Sequence, residues 1–236
     1  MDLRIVRFSL FLALTAACAS SEKDLPRDSF PSLPLVDSGA WTHGFADYPA
    51  TENEFYELSG GLRSLPPPLS SEKQAYFLSG NNQSDDLFMF IKGALVGLDP
   101  SQAYAARLRV ELATNAASGC VGIGGAPGEA VHVKAGMSAA EPLSTNQDGY
   151  FQLNWDKGNQ AQGGVDAAVL GDLANSTNDC EQADYQLKAF ESPSAQLLRP
   201  GADGTLWVLV GTDSGFEGPT SVYVSRVEVS LESPGL

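Results

Sequence analysis

Two histidines, His43 and His132, and three cysteines, Cys18, Cys120 and Cys180, are all that this chain of 236 residues holds. A serine triad would thus have two candidate bases, and the Gly-x-Ser-x-Gly turn that presents a serine nucleophile does not occur. The histidines and cysteines stand singly, without the short spacings of a zinc site. Basic residues are scarce too: 14 Lys and Arg face 29 Asp and Glu, a formal net charge of −15. A field of that sign repels phosphate backbones and argues against nucleic acid as a partner. Beyond the N-terminus no apolar run is long enough for a membrane-spanning helix, since 87–91 and 206–210 are of strand length. Helical periodicity sustained over three turns is missing.

The N-terminus holds a different signal. Arg4 and Arg7 precede an apolar run from Phe8 to Leu14, followed by Thr15, Ala16, Ala17 and Cys18. Charge, short apolar run and small residues form the secretory pattern. Ending on a cysteine, it resembles the lipobox of bacterial lipoproteins, with Thr15 where leucine is commonest. The resemblance implies removal of residues 1–17, a lipid anchor on Cys18, and a membrane link through lipid alone. Ala19 rather than Asp after the cysteine implies sorting to the outer membrane, on a face the sequence does not identify. The alternative is an ordinary signal peptide with Cys18 incidental.

Without residues 1–17 the chain keeps 12 basic and 28 acidic residues. Cys120 and Cys180 then remain as an even pair in an oxidising compartment, which favours a disulfide over two buried thiols. Residues 18–37 are polar and proline-punctuated and read as a lipidated, flexible tether. Residues 38–236 suit one domain.

That domain reads as all-β. Residues 87–92 form a continuous apolar run of buried-strand length. In 104–112, Asp99-Pro100 could open a helix, yet Tyr104, Ala106, Leu108, Val110 and Leu112 alternate with Ala105, Arg107, Arg109 and Glu111. Period 2 selects a strand. Similar alternation marks 130–134, with Val131 and Val133 inward against His132 and Lys134, and 150–155. Residues 185–190, 205–211 and 222–231 add further strands. Eight or more short strands with Gly, Asn and Asp joints predict an antiparallel β-sandwich.

GLDPSQAYAARLRVEL and DGTLWVLVGTDSGFEGPTSVYVSRVEVSL resemble the corresponding strand segments of galactose-binding-like jelly rolls, a group that includes many carbohydrate-binding modules. The resemblance covers residues 97–113 and 203–231 and implies a jelly roll that binds glycans. Ser225 and Arg226 stand where such modules often carry acidic residues, which departs from their pattern.

Candidate site residues lie in loops. Asn82, Asp85 and Asp86 precede the 87–92 run, and Asp213 and Glu217 sit in GTDSGFEGPT. Both oxygen-rich segments could hold calcium or a ligand, and both could equally be turns bonding their own backbone. Lys157, Asn159 and Gln160 in DKGNQAQGG could meet sugar hydroxyls. Trp41 and Tyr48 are the candidates for stacking against a sugar ring, whereas Trp155 and Trp207 read as core. The Gly-rich 119–129 lacks the Gly-Lys-Ser/Thr ending of a phosphate loop and reads as a turn pinned by Cys120. No catalytic residue and no required cofactor emerges. The first reading is a lipid-anchored glycan-binding module, with structural calcium as an option the oxygen-rich loops leave open. Its rivals are an accessory envelope lipoprotein that binds another protein and a hydrolase using two carboxylates.

Overall fold

A computed structural model describes residues 32–33 and 40–233. Residues 1–17 and Cys18, read above as signal and lipid anchor, lie outside the described residues. The strands are β1 (Ser32–Leu33), β2 (Trp41–Ala46), β3 (Tyr48–Pro49), β4 (Ser59–Ser64), β5 (Gln74–Asn81), β6 (Leu87–Leu95), β7 (Tyr104–Thr114) and β8 (Val131–Ser138). They continue with β9 (Ser144–Gln147), β10 (Tyr150–Leu153), β11 (Ala167–Asp172), β12 (Gln186–Glu191), β13 (Gln196–Leu198), β14 (Leu206–Ser214) and β15 (Pro219–Glu232). One 3-10 helix, Ala50–Tyr56, is present among the described residues.

All pairings between these strands are antiparallel among the described residues, and an isolated bridge between Ala117 and Asn175 is parallel. One sheet runs β12-β7-β15-β5-β4 and the other β11-β8-β14-β6-β2. Strands β5-β15-β7-β12 facing β6-β14-β8-β11 are in jelly-roll order, as the sequence predicted. A small third sheet, β3-β10-β9, lies beside the second.

Alternation explains the core. Leu87, Met89 and Ile91 of β6 join Val131 and Val133 of β8, Val208 and Val210 of β14, and Leu108 and Val110 of β7 between the sheets. Strand β7 is extended, not helical. Asp99 accepts hydrogen bonds from the backbone N–H of Ser101 (2.8 Å) and from its hydroxyl (2.7 Å), so Asp99-Pro100 closes a turn that feeds the strand. In β15 the inward set is Val222 and Val224, then Val227 and Val229, a break in period 2. A bulge between Val224 and Arg226 absorbs the extra residue, and the Ser225 hydroxyl is held by the Glu111 carbonyl and carboxylate.

The unbroken apolar run of β6 has a second cause. Its other face, Phe88 and Phe90, packs with Ala46, Trp155 and Leu209 in a separate buried cluster. The segment after β10 covers this face, so β6 is apolar on both sides. Gly44 is what permits the packing, because a Cβ there would come within 2.4 Å of the Phe90 ring.

Three expectations need correction. Trp41 is not a surface aromatic: it is 6% exposed and lies between the sheets, because β2 pairs with β6 in the register that turns it inward. Tyr48 is equally buried, stacked on Phe151 with centroids 4.9 Å apart and packed against Tyr56. The stretch read as a tether contributes β1, whose Ser32 and Leu33 pair with Glu228 and Val227, where β15 runs on past its partner β5. Cys120 and Cys180 form the expected disulfide.

Candidate functional site

The three polar segments singled out in the sequence converge on one end of the sandwich. Asn82 donates to the carbonyls of Ser214 (2.8 Å) and Phe216 (2.9 Å), fastening the turn before β6 to the turn after β14. Gln160 donates to the carbonyl of Asp85 (2.8 Å), and its backbone N–H reaches Asp213 Oδ2 (3.0 Å). The loop between β10 and β11 is thereby clamped over both turns. Asn82 and Gln160 act as structural pins.

Beneath this clamp lies a charged cluster on the outer face of the second sheet. Asp213 of β14 and Lys134 of β8 are fully buried and 2.7 Å apart. Lys157 contacts the same Asp213 oxygen at 2.8 Å and Asp47 Oδ2 at 2.8 Å. Lys134 also donates to the carbonyls of Lys157 (2.8 Å) and Gln162 (2.9 Å), which ties the covering loop to the sheet. Desolvation outweighs the attraction of Asp213 and holds the Lys134 pKa below the ordinary lysine value. Burial pushes Lys157 the same way, but Asp213 and Asp47 together more than offset it, and its pKa stands above that value.

The cluster forms the floor of a cleft of about 260 Å³ lined by Asp47, Asp86, Tyr150, Gln152, Asp156 and Lys157. Tyr150 is half-buried and donates to the Asp47 carbonyl (3.0 Å). Gln152, Asp156 and Asn159 are exposed at the mouth. Asp156 accepts backbone N–H bonds from Val165 (3.1 Å) and Gly158 (3.0 Å), which hold its carboxyl below the usual carboxylate range. Asp86 differs. Burial raises its pKa to about 6, and its Oδ1 is buried without a hydrogen-bond partner among the described residues. A perturbed, unsatisfied carboxyl in a cleft marks a functional candidate.

The shift of Asp86 has a consequence for stability. A carboxyl whose folded pKa exceeds its unfolded value binds its proton more tightly in the folded chain, so stability falls as pH rises through that window. The window opens near pH 4 in the unfolded chain and closes near pH 6 in the folded one. Asp86→Asn, which mimics the neutral acid, is expected to stabilise the protein at pH 7.5 by about 1–2 kcal/mol, allowing for solvent screening at the cleft. Melting temperatures at pH 7.5 and pH 4.5 check this: the gap between variant and wild type narrows at the lower pH.

Of the sequence-predicted residues, Asp86, Lys157 and Asn159 line the cleft, and Asp213 supports it from below. Asp85 is exposed in left-handed backbone (φ 62°). Glu217 belongs to the neighbouring turn, where its N–H bonds the Ile123 carbonyl (2.9 Å). Among the described residues no group of three His, Cys, Asp or Glu is placed to hold a metal ion. Asp213, one of the calcium candidates, has its Oδ2 taken by two ammonium groups and an amide, so a cation there would meet positive charge.

The Gly-rich stretch is not an anion cradle either. The Gly119 N–H is occupied by Glu129 Oε1 (2.8 Å), and Gly124 (φ 70°) passes so close to the Gly215 carbonyl that a Cβ would stand 2.2 Å from it. Sequence reasoning missed Asp47, Tyr150 and Lys134. Lys134 was read as an outward strand residue, which it is, but the loop that buries it left no local signal.

No family profile matches the chain, and no curated protein matches it in sequence. Solved structures with a similar course include the enzymatically active domain of tailspike protein 4 of bacteriophage CBA120, at TM-score 0.37 and 10% identity over 82% of this chain and 20% of that one. Another is a carbohydrate-binding module of the β-sandwich superfamily, at TM-score 0.39 and 9% identity, covering 82% of this chain and 58% of that one. A family 11 carbohydrate-binding module of Clostridium thermocellum gives TM-score 0.37 and 8% identity, covering 85% and 95%. The chain thus spans a fifth of the tailspike chain and under two thirds of the second structure. At this level of similarity no residue role passes from these proteins to this chain.

Proposed function

We infer that the protein is a lipid-anchored extracytoplasmic binding module that takes an oligosaccharide in the Asp86 cleft. The observation carrying this reading is the buried, partnerless Asp86 Oδ1 in a polar cleft with a pinned base. An acceptor left unsatisfied costs free energy until a ligand donor reaches it, and sugar hydroxyls are such donors. Tyr150 supplies an aromatic edge, and Gln152 and Asn159 supply adaptable amides at the mouth. Cys18 would hold the module to the outer membrane through its lipid. The histidines support a binding role more than a catalytic one: His43 hydrogen-bonds Tyr76 (3.0 Å) and neither histidine lines this cleft.

A glycan array probed with the full-length chain in detergent tests the reading, with calcium and again with a chelator. Binding to an oligosaccharide class that Tyr150→Ala abolishes is the expected result, and it persists in chelator because Asp213 is already held by lysines. Absence of binding by the folded chain overturns the reading.

A second reading, a protein-binding accessory lipoprotein, is favoured by Val121 and Ile123, 96% and 72% exposed on the disulfide-pinned loop. Val121 lines a depression of about 370 Å³ that includes Cys120, Pro127 and Phe216. Val121→Asp with Ile123→Asp would abolish capture of such a partner without affecting glycan binding.

A further inference from the structure

We propose that the cleft selects oligosaccharides bearing a free, protonated amine, with the ligand's ammonium seated against Asp86. The inference rests on the glycan-binding reading above and adds the charge of the ligand.

Donor counting carries the argument. An ammonium group has three N–H donors. Lys134 donates to the carbonyls of Lys157 and Gln162 and is ion-paired with Asp213 Oδ2 at 2.7 Å. Lys157 faces Asp47 Oδ2 and Asp213 Oδ2 at 2.8 Å and the Gly158 carbonyl at 3.4 Å. Neither lysine donates a hydrogen bond to Asp86, and Asp86 Oδ1 is buried with no hydrogen-bond partner among the described residues, as are Asp47 Oδ2 and Asp213 Oδ1, so the cluster holds more acceptors than its two ammonium groups satisfy.

Charge counting agrees. Asp47, Asp86 and Asp213 face two ammonium groups, so the fully ionised cluster is one positive charge short. Asp156 adds a further carboxylate at the mouth. A ligand that brings one positive charge and a hydrogen-bond donor to Asp86 completes the cluster. An anionic ligand would deepen the imbalance, and a neutral sugar would satisfy the acceptor without the charge. The exposed Gln152 and Asn159 remain for the hydroxyls of neighbouring residues.

Proton linkage follows. The groups acting on Asp86 are Lys157 from the β10–β11 loop, Asp213 from β14, Asp47 from the β2–β3 turn, Lys134 from β8 and Tyr150 from β10. In the empty cleft Asp86 takes up a proton near pH 6. An ammonium ligand favours the carboxylate, so binding displaces that proton and weakens as pH falls below this range. Affinity falls again at high pH, where the ligand amine loses its own proton.

Isothermal titration of the full-length chain in detergent tests the inference, using glucosamine oligomers, their N-acetylated counterparts of equal length, and a short lysine oligomer. The expected result is binding of the free-amine oligomer, with the N-acetylated one weaker by about 30-fold or more, as for a lost buried charge pair. Asp86→Asn, expected to fold, should reduce free-amine binding by a similar factor and remove the acid limb of the pH profile. Equal binding of both oligosaccharides by wild type overturns the proposal while leaving the glycan reading intact. Binding of the lysine oligomer as tightly as the amino sugar also overturns it, and assigns the cleft to basic peptides. Failure of every oligosaccharide, here and on the array, defeats the glycan reading and this inference with it.

Discussion

Asp213→Ala is expected to cost about 3–5 kcal/mol of stability, because it strands the buried Lys134 ammonium and takes from Lys157 one of its two carboxylate partners. Lys134 is fully buried and Lys157 nearly so, and both address the same carboxylate oxygen. Removing that oxygen leaves Lys134 with two carbonyls and no counter-charge. The Gln160 N–H loses its acceptor too, so the loop between β10 and β11 is released from β14. For a chain of this size the loss corresponds to a fall in melting temperature of roughly 10 °C. Calorimetry on the purified protein measures it directly. The double substitution Asp213→Leu with Lys134→Met should recover only part of the loss: it removes the stranded Lys134 charge, but the carbonyls of Lys157 and Gln162 and the Gln160 N–H still lose their partners. A single-variant loss below about 1 kcal/mol would mean that the cluster is far better solvated than its burial indicates. It would also undercut the cleft, whose floor is this cluster.

The second large effect concerns Cys120 and Cys180. Their bond closes a loop of 60 residues. Opening it by Cys120→Ser with Cys180→Ser is expected to cost about 4 kcal/mol through the gain in unfolded-chain entropy. Urea titrations of variant and wild type check the figure. The local consequence should be graded along the two segments it joins. Near the sheet they are also held by hydrogen bonds: Ser118 to the Thr177 carbonyl (2.9 Å), and Asn175 to the carbonyls of Ala116 (2.8 Å) and Thr114 (3.1 Å). Those contacts survive reduction. Residues 119–123, whose Val121 and Ile123 are exposed, have fewer such ties, and amide exchange is expected to accelerate there first. Equal protection in both forms would show that the bridge acts on the unfolded chain alone. Glycan binding should survive at temperatures where the variant stays folded, because the bridge does not line the Asp86 cleft.

The two effects differ in how far they could be read in advance. The bridge followed from counting: with Cys18 assigned to lipid, two cysteines remained. Strand β7 followed from period 2 over nine residues, strong enough to override a helix-opening Asp-Pro. Asp86, Lys157 and Asp213 were candidates individually, because oxygen-rich and polar turns stand out in a β sequence. Their meeting in one network was not visible, since 56 residues separate Lys157 from Asp213 and they meet only because the loop between β10 and β11 folds over β14.

Sequence alone therefore determined the strand pattern, the acidic balance that disfavours nucleic acid, the even cysteine pair and the loops rich in ligand-type side chains. These are local or compositional properties, carried by near neighbours or by the chain as a whole. Tertiary structure decided what covers each face. Alternation says that Lys134 points away from the core and that Trp41 shares a face with Phe45, but not whether either face meets water. Lys134 is buried because the loop after β10 folds over it, and Trp41 is buried because β2 adds to β6 in one register. Burial of a side chain depends on segments distant in sequence, and so does the affinity of a cleft assembled from them.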